Sequence, residues 1–266
     1  MGFLKVPLIL SVARRVRREH IQILDARHGR DYWPTILAAR WSGVRPKVVL
    51  GRHLAKSPGS WLSRRWLLSQ CDAFVAVSHF VAKVLREGDA DPTSDNPERH
   101  YRPPMSGDFS RLHVVYGGFD MDRFQPGEAS GQREAWGLQP QHFAFCMAGG
   151  YDLPHGKGQR VFLQAAARVR PELPQARFFL VGRGTLRATL EADIDRLGLQ
   201  GVASLAPYSH DMPAVLNAMD CLVLPQIGTE ALPGVVIEAH ACGKPVIASA
   251  LDGIPEAFAT GGTANW

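Results

Sequence analysis

Long apolar runs are missing from this sequence. No stretch approaches the roughly 20 consecutive apolar residues that a membrane-crossing helix needs. Cysteine is scarce: Cys71, Cys146, Cys221 and Cys242 lie far apart and form no C-x-x-C pair. Neither a disulfide framework nor a zinc site is implied, and buried, reduced thiols of a cytosolic protein are the default. No G-x-G-x-x-G follows a first strand, as a nucleotide-dependent oxidoreductase would need. No signature of a nucleic-acid module is present. The opening MGFLKVPLILSVARRVRREH is no secretory leader, because its basic cluster follows the apolar run and no small-residue cleavage site comes after it. Leu8, Leu10, Val12, Ala13 and Val16 instead fit an amphipathic helix with Arg14, Arg15, Arg17 and Arg18 on its wet side.

What is present is an ordinary globular composition over 266 residues, 45% apolar and 21% charged, enough for two moderate domains. The net charge of +5 hides an asymmetry. Residues 1–118 carry 19 Lys/Arg against 10 Asp/Glu, and residues 119–266 carry 11 against 15. Before Trp66 there are 14 basic residues and 3 acidic ones, together with Trp33, Trp41 and Trp61. A basic, tryptophan-rich region suits an anionic membrane surface or a phosphorylated acceptor. Nucleic acid and a merely solvated basic face are its rivals.

Strands alternate with helices along the chain. IQIL, KVVLGRH, DAFVAVS and RLHVV read as strands. PTILAARWSG, SWLSRRWLLSQC and HFVAKVLREG read as helices between them. The second half continues with HFAFCMA, ARFFLVG, GVASLAP and DCLVLP. This order predicts parallel, doubly wound sheets. Residues 89–110, rich in Pro, Ser and Asp, read as a long mobile insertion.

Chemistry concentrates between Leu222 and Phe258. A buried strand stops at Pro225, a polar loop follows, and a helix runs from Gly234 to a stop at Gly243 and Pro245. Glu230 lies in the loop and Glu238 in the helix. A helix start offers free N–H groups and a positive dipole end to a phosphate, and Gly234 allows close approach. Glu238, about one turn in, can accept hydrogen bonds from sugar hydroxyls, and Glu230 can face a glycosyl carbon. The plain alternative is a βαβ unit with two solvated acids.

The series E-x7-E, then EA-x-A-x-G-x-PV-x-A, then GIPE resembles the C-terminal domain of retaining glycosyltransferases of family 4. Those enzymes have the GT-B fold and move a sugar from a nucleotide diphosphate to an acceptor. The resemblance implies an α/β chain of two Rossmann-like doubly wound domains facing a cleft, residues 1–125 on the acceptor side and 126–266 binding the nucleotide sugar. It extends to Ala76-Val77-Ser78, to Arg52-His53, and to the junction around Gly118-Phe119-Asp120 through Pro126. By resemblance, His28 and Glu230 lie at the reacting sugar, and Arg52 and His53 on the acceptor side. Lys157, at the KG pair that opens a helix, would hold the diphosphate, with Gly182, Gly234, Val235 and Glu238 completing the donor site. Pro207 and Tyr208 would lie near the nucleobase.

Three departures stand out. Ala26 replaces the first His of the family's H-x-H. Gly149-Gly150-Tyr151-Asp152 lacks the family's diphosphate arginine, for which Arg160 and Arg183 are candidate substitutes. The family's opening strand, Gly-rich loop and final helices have no counterpart, so the resemblance implies a chain truncated at both ends. Asp120-Met121-Asp122 spells a metal motif of another glycosyltransferase fold, but its flanks assign it to the junction, and no metal or other cofactor is expected. The expected protein is a cytoplasmic glycosyltransferase, peripheral at the inner face of the membrane, with a nucleotide sugar as donor and an anionic, lipid-linked or lipopolysaccharide-precursor acceptor. The alternative is a non-catalytic remnant that binds a nucleotide sugar or an anionic surface.

Overall fold

The computed structural model describes residues 6–89, 102–152, 156–206 and 209–259. Two compact units divide the chain, Met1–Gly117 and Gly118–Trp266; the sequence reading sets the boundary after Gln125.

Unit 1 is a four-stranded parallel sheet in the order β1-β2-β3-β4, with β1 at Ile23–Ala26, β2 at Lys47–Arg52, β3 at Ala73–Ala76 and β4 at Leu112–Val114. Helices α1 (Val6–Arg18), α2 (Tyr32–Trp41), α3 (Trp61–Gln70) and α4 (His79–Glu87) precede or connect the strands. Local chemistry fixes their starts. The Ser60 hydroxyl caps α3 by accepting from Ser63 N at 3.1 Å, and Ser78 caps α4 by accepting from Val81 N at 3.1 Å. Gly88 ends α4 at φ 91°, a backbone open to glycine. Leu50, Phe74, Leu67 and Leu85 are fully buried between sheet and helices, each contributing about 2–3 kcal/mol of burial free energy.

Helix α1 turns part of the expected face inward, with Val12 packed beside the buried residues, but Ile9 takes the place of Leu8 and Leu10. Ile9, Ala13 and Val16 are buried, at helical spacing, and Ile9 and Ala13 pack with Ala38 of α2; Leu8 and Leu10 are exposed. The described ends of the 89–110 stretch are tied down. Asp89 and Arg102 form a β-bridge, Met105 is buried and donates its N–H to Leu85 O at 2.8 Å, and Ser106 N reaches Arg64 O at 2.8 Å. Mobility therefore does not extend over residues 102–110, and residues 90–101 lie outside the described residues.

Unit 2 contains β5 (Phe143–Ala148), β6 (Ala176–Val181), β7 (Ala203–Ala206), β8 (Cys221–Leu224) and β9 (Val246–Ala248), parallel throughout in the order β7-β6-β5-β8-β9. Helices α5 (Ser130–Ala135), α6 (Gln159–Val169), α7 (Arg187–Arg196), α8 (Met212–Ala218), α9 (Gly234–Ala241) and α10 (Ile254–Ala259) complete it. The central strands are buried nearly end to end, as a parallel sheet covered on both faces demands. A ladder of aromatic rings fills one side: Phe145 stacks on Phe178 at 5.4 Å between centroids, and Phe162 meets Phe178 edge-on at 5.8 Å.

The strand order reverses direction between β5 and β8. At such a switch point the loops leaving the two strands part, and a crevice opens at their C-terminal ends. All four cysteines are buried free thiols, and burial pushes Cys71 and Cys221 up to about 11.

Candidate active site

The switch point of unit 2 gathers the donor-side residues named from the sequence. The loop leaving β5 carries Lys157, and the loop leaving β8 carries Glu230. Although 73 positions apart in the chain, their side chains meet, with Lys157 Nζ 2.5 Å from Glu230 Oε2. Glu230 is the more sheltered partner, with 13% of its side chain exposed against 34% for Lys157.

Glycines bring these loops together. Gly158, the residue before α6, adopts φ 96°, and a Cβ there would lie 1.9 Å from Pro225 O at the end of β8. Gly182, at φ 155°, packs so closely that a Cβ would lie 2.1 Å from Gly149 O. Gly184 meets the Tyr151 backbone just as closely, where a Cβ would lie 2.3 Å from its carbonyl carbon. Only glycine permits these backbone approaches. Buried polar groups tie the same parts. Gln159 accepts from Lys157 N at 2.7 Å and donates to Gly150 O at 3.1 Å, and the Tyr151 hydroxyl donates to Gly182 O at 2.9 Å.

Glu230 is positioned from further along the chain. Its N–H donates to Asp252 Oδ2 at 3.2 Å, and its carbonyl accepts from Gly253 N at 3.1 Å. Asp252 holds φ 53°, a left-handed conformation that Asp tolerates better than most residues. Gly253 is forced, since a Cβ would sit 1.9 Å from Ala231 O. Burial first, and then the Glu230 charge, push the Asp252 carboxyl up, while its bond from Glu230 N opposes them. The GIPE segment thus acts as a clamp on the Glu230 loop.

The Lys157 stem packs against Gly149, where a Cβ would lie 2.9 Å from Lys157 Cδ, and Gly149 also lines a cavity of about 290 Å³ together with Gly150, Gly182, Arg183, Val235 and Glu238, among others. Glu238 is half-buried. Burial pushes its carboxyl up, and Arg123 draws it back down. Arg123 is held over the Phe124 ring at 5.3 Å and donates to His210 O at 2.9 Å. Helices α6 and α9 both begin without a side-chain cap, leaving their first N–H groups for another acceptor. Gly234 lies against the Phe119 ring, 3.3 Å from where a Cβ would stand.

Of the two candidate substitute arginines, Arg183 lines the cavity, whereas Arg160 pairs with Asp193 at 2.7 Å. Asp120 is committed to its own turn, its Oδ1 accepting from Asp122 N at 3.1 Å and Arg123 N at 3.0 Å. Pro207 and Tyr208 lie outside the described residues.

In unit 1, His28 and His53 follow the C-terminal ends of β1 and β2, and both are exposed. Desolvation, then the nearby Arg27 and His28, hold the His53 ring below the usual imidazole range. Arg27 itself pairs with Asp25 at 2.6 Å. Arg52 is less open than an acceptor-side role predicts. It is only 7% exposed, and its guanidinium donates to Lys56 O at 2.8 Å and 2.5 Å and to Ser57 O at 3.4 Å. An arginine held by the carbonyls of its own loop shapes that loop.

Asp252, Gln159 and Arg123 escape the sequence reading. Asp-Gly marks a turn, but nothing in the local text says which loop that turn holds.

Comparison with known proteins supports both units. A family described as "Glycosyl transferases group 1" matches residues 142–265, and "Glycosyltransferase Family 4" matches residues 3–94. A D-inositol 3-phosphate glycosyltransferase of Mycobacterium sp. (strain KMS) is 35% identical over 248 residues, covering 81% of this chain and 54% of the relative. The chain therefore spans about half the length of the curated relatives it matches. Among solved structures, Anabaena HepE in complex with UDP and glucose superposes with a TM-score of 0.73 at 22% identity, over 94% of this chain and 64% of that one. A glycosyltransferase from Rickettsia africae gives 0.74 at 19% identity, over 96% of this chain and 65% of that one. In sequence, residues 3–94 resemble family 4 and residues 142–265 group 1 glycosyltransferases, and in fold both units are similar to those of solved GT-B glycosyltransferases.

Proposed function

We propose that this chain carries the donor and acceptor elements of a retaining glycosyltransferase that moves a sugar from a nucleoside diphosphate to an anionic acceptor. The observation that carries the reading is the meeting of Lys157 and Glu230 at the switch point, next to a cavity that holds Glu238. Lys157, Arg183 and the open N-termini of α6 and α9 receive the diphosphate. Glu238 accepts the ribose hydroxyls. Glu230 stands at the sugar as nucleophile or positioning group. Leaving-group charge is met by fixed donors, with no metal in the scheme.

The acceptor belongs to unit 1, whose strand ends bear His28, His53 and Arg27. Its charge excess, and the similarity to an enzyme named for inositol 3-phosphate, favour a phosphate-bearing acceptor. A lipid-linked or lipopolysaccharide precursor meets that description. Peripheral membrane contact fits unit 1 as well: Trp61 and Trp66 of α3 are 67% and 42% exposed, and Arg65 lies 5.2 Å from the Trp66 ring centroid. Equal sedimentation with neutral and anionic vesicles would remove that part of the proposal. No helix among the described residues is long and apolar enough to cross a membrane.

The test is turnover of a panel of nucleotide sugars by the 266-residue chain, with product stereochemistry read by NMR. Expected are retention at the anomeric carbon, loss of transfer in Glu230→Ala, and activity undiminished by a chelator. Inversion, or transfer that survives Glu230→Ala, overturns the mechanism. Nucleotide binding with no turnover of any donor favours the non-catalytic remnant.

A further inference from the structure

The Lys157–Glu230 pair has a consequence for how the site loads. An ammonium 2.5 Å from a carboxylate is already neutralised. A diphosphate arriving at the same ammonium meets a competitor. Both backbones are fixed, Lys157 through buried Gln159 and the Gly158–Pro225 approach, Glu230 through Asp252 and Gly253. The side chains are the parts left to rearrange.

We infer that the Lys157–Glu230 ion pair is a latch that closes the empty donor site and is opened by the nucleoside diphosphate, which takes over the lysine and frees the glutamate. This rests on the donor-site reading above. Before loading, Glu230 is masked and Lys157 is turned aside from the phosphates. On loading, the Lys157 ammonium exchanges one anionic partner for another, so the net charge around it changes little. The Glu230 carboxylate is released beside the sugar at the moment a donor is present, and with no donor bound it stays neutralised. No bond to carbon forms or breaks in this step, and no proton moves. Because free energy is drawn from the diphosphate to open the pair, removing the glutamate charge strengthens binding of the leaving nucleotide.

Calorimetry with UDP, GDP and ADP on the full chain tests this. The wild type is expected to bind one of them. Glu230→Gln keeps the side-chain shape, removes the charge, and is expected to bind that nucleotide about fivefold more tightly, the upper end for a partly exposed pair. The gain should shrink as salt rises and vanish in the Lys157→Ala background, where there is no latch to remove. Unchanged or weaker binding by Glu230→Gln, with normal binding by the wild type, overturns the latch alone: Lys157 then serves carboxylate and phosphate together. An undiminished gain in the Lys157→Ala background also overturns it. A wild type that binds none of the three nucleotides overturns the donor-site reading and the latch with it.

Discussion

The C-terminal ends of the two sheets solve the same geometric problem in opposite ways. In unit 2 the loops leaving β5, β6 and β8 are packed backbone to backbone, with Gly158, Gly182 and Gly184 at close approaches. In unit 1 the loops leaving β1 and β2 present exposed side chains, His28 and His53, and a buried arginine shapes the second loop. A diphosphate asks for N–H groups, which backbone can supply, and for one cation nearby. An acceptor asks for a pattern of side chains. The contrast predicts that unit 2 is intolerant of change at these glycines and that unit 1 is intolerant at the buried Arg52.

The sharpest way to break this comparison is Gly158→Ala. A Cβ at φ 96° and 1.9 Å from Pro225 O should cost unit 2 about 2–4 kcal/mol. Gly59→Ala in unit 1, with nothing near the new Cβ, should stay within about 0.5 kcal/mol. Denaturant unfolding that finds the two alike would refute the backbone argument.

Next in size, Lys157→Ala should weaken UDP binding by about 1.5–3 kcal/mol, the range for a lost hydrogen bond to a charged group. Equal affinity in calorimetry would remove Lys157 from the donor site.

Within unit 1, Arg52→Ala should destabilise the fold by about 1.5–3 kcal/mol, because it removes hydrogen bonds from a buried charge and leaves the loop carbonyls without their donor. His53→Ala should leave stability within about 0.5 kcal/mol and lower transfer. A thermal melt and a turnover assay on both variants separate the roles, and the reverse pattern would restore Arg52 to the acceptor side.

The smallest effect concerns pH. Arg123 holds the Glu238 carboxyl down against the burial that raises it. Arg123→Ala should therefore raise it further, moving the acid limb of UDP binding to higher pH, since the ionised carboxylate is the better acceptor for ribose hydroxyls. For the free protein the sign is the opposite of a salt-bridged acid. A raised carboxyl stabilises the fold below the ordinary Glu range and loses that contribution as pH rises through the raised value. An acid limb unmoved in the variant would dissociate Arg123 from Glu238.

Much of this architecture was legible in the text. The alternation of strands and helices predicts both sheets, and the E-x7-E and KG patterns single out Glu230, Glu238 and Lys157, of which the fold brings Lys157 and Glu230 into contact and puts Glu238 on the cavity wall. Boundaries were less so. IQIL suggested a strand over 21–24, yet β1 runs over Ile23–Ala26, because pairing begins where Ile23 meets Lys47 on β2. Helix α1 buries Ala13 and Val16 of the expected stripe but adds Ile9 and leaves Leu8 and Leu10 exposed, since a helix rich in both leucine and arginine has several apolar stripes and packing against Ala38 selects one. Asp252 and Gln159 stayed hidden because each acts on the backbone of a residue that only the fold brings near. The burial of Arg52 is hidden for a related reason: sequence shows a charge and cannot show that carbonyls surround it.

The buried thiols turn the molecule into its own stopwatch. Only a thiolate reacts readily, and burial keeps Cys71 in unit 1 and Cys146, Cys221 and Cys242 in unit 2 protonated and out of reach. Modification by a soluble reagent must then wait for local opening, and the time each cysteine takes reports how often its surroundings open. Because the residues are divided between the units, one labelling experiment with peptide mapping times the opening of each unit separately, with no engineered probe.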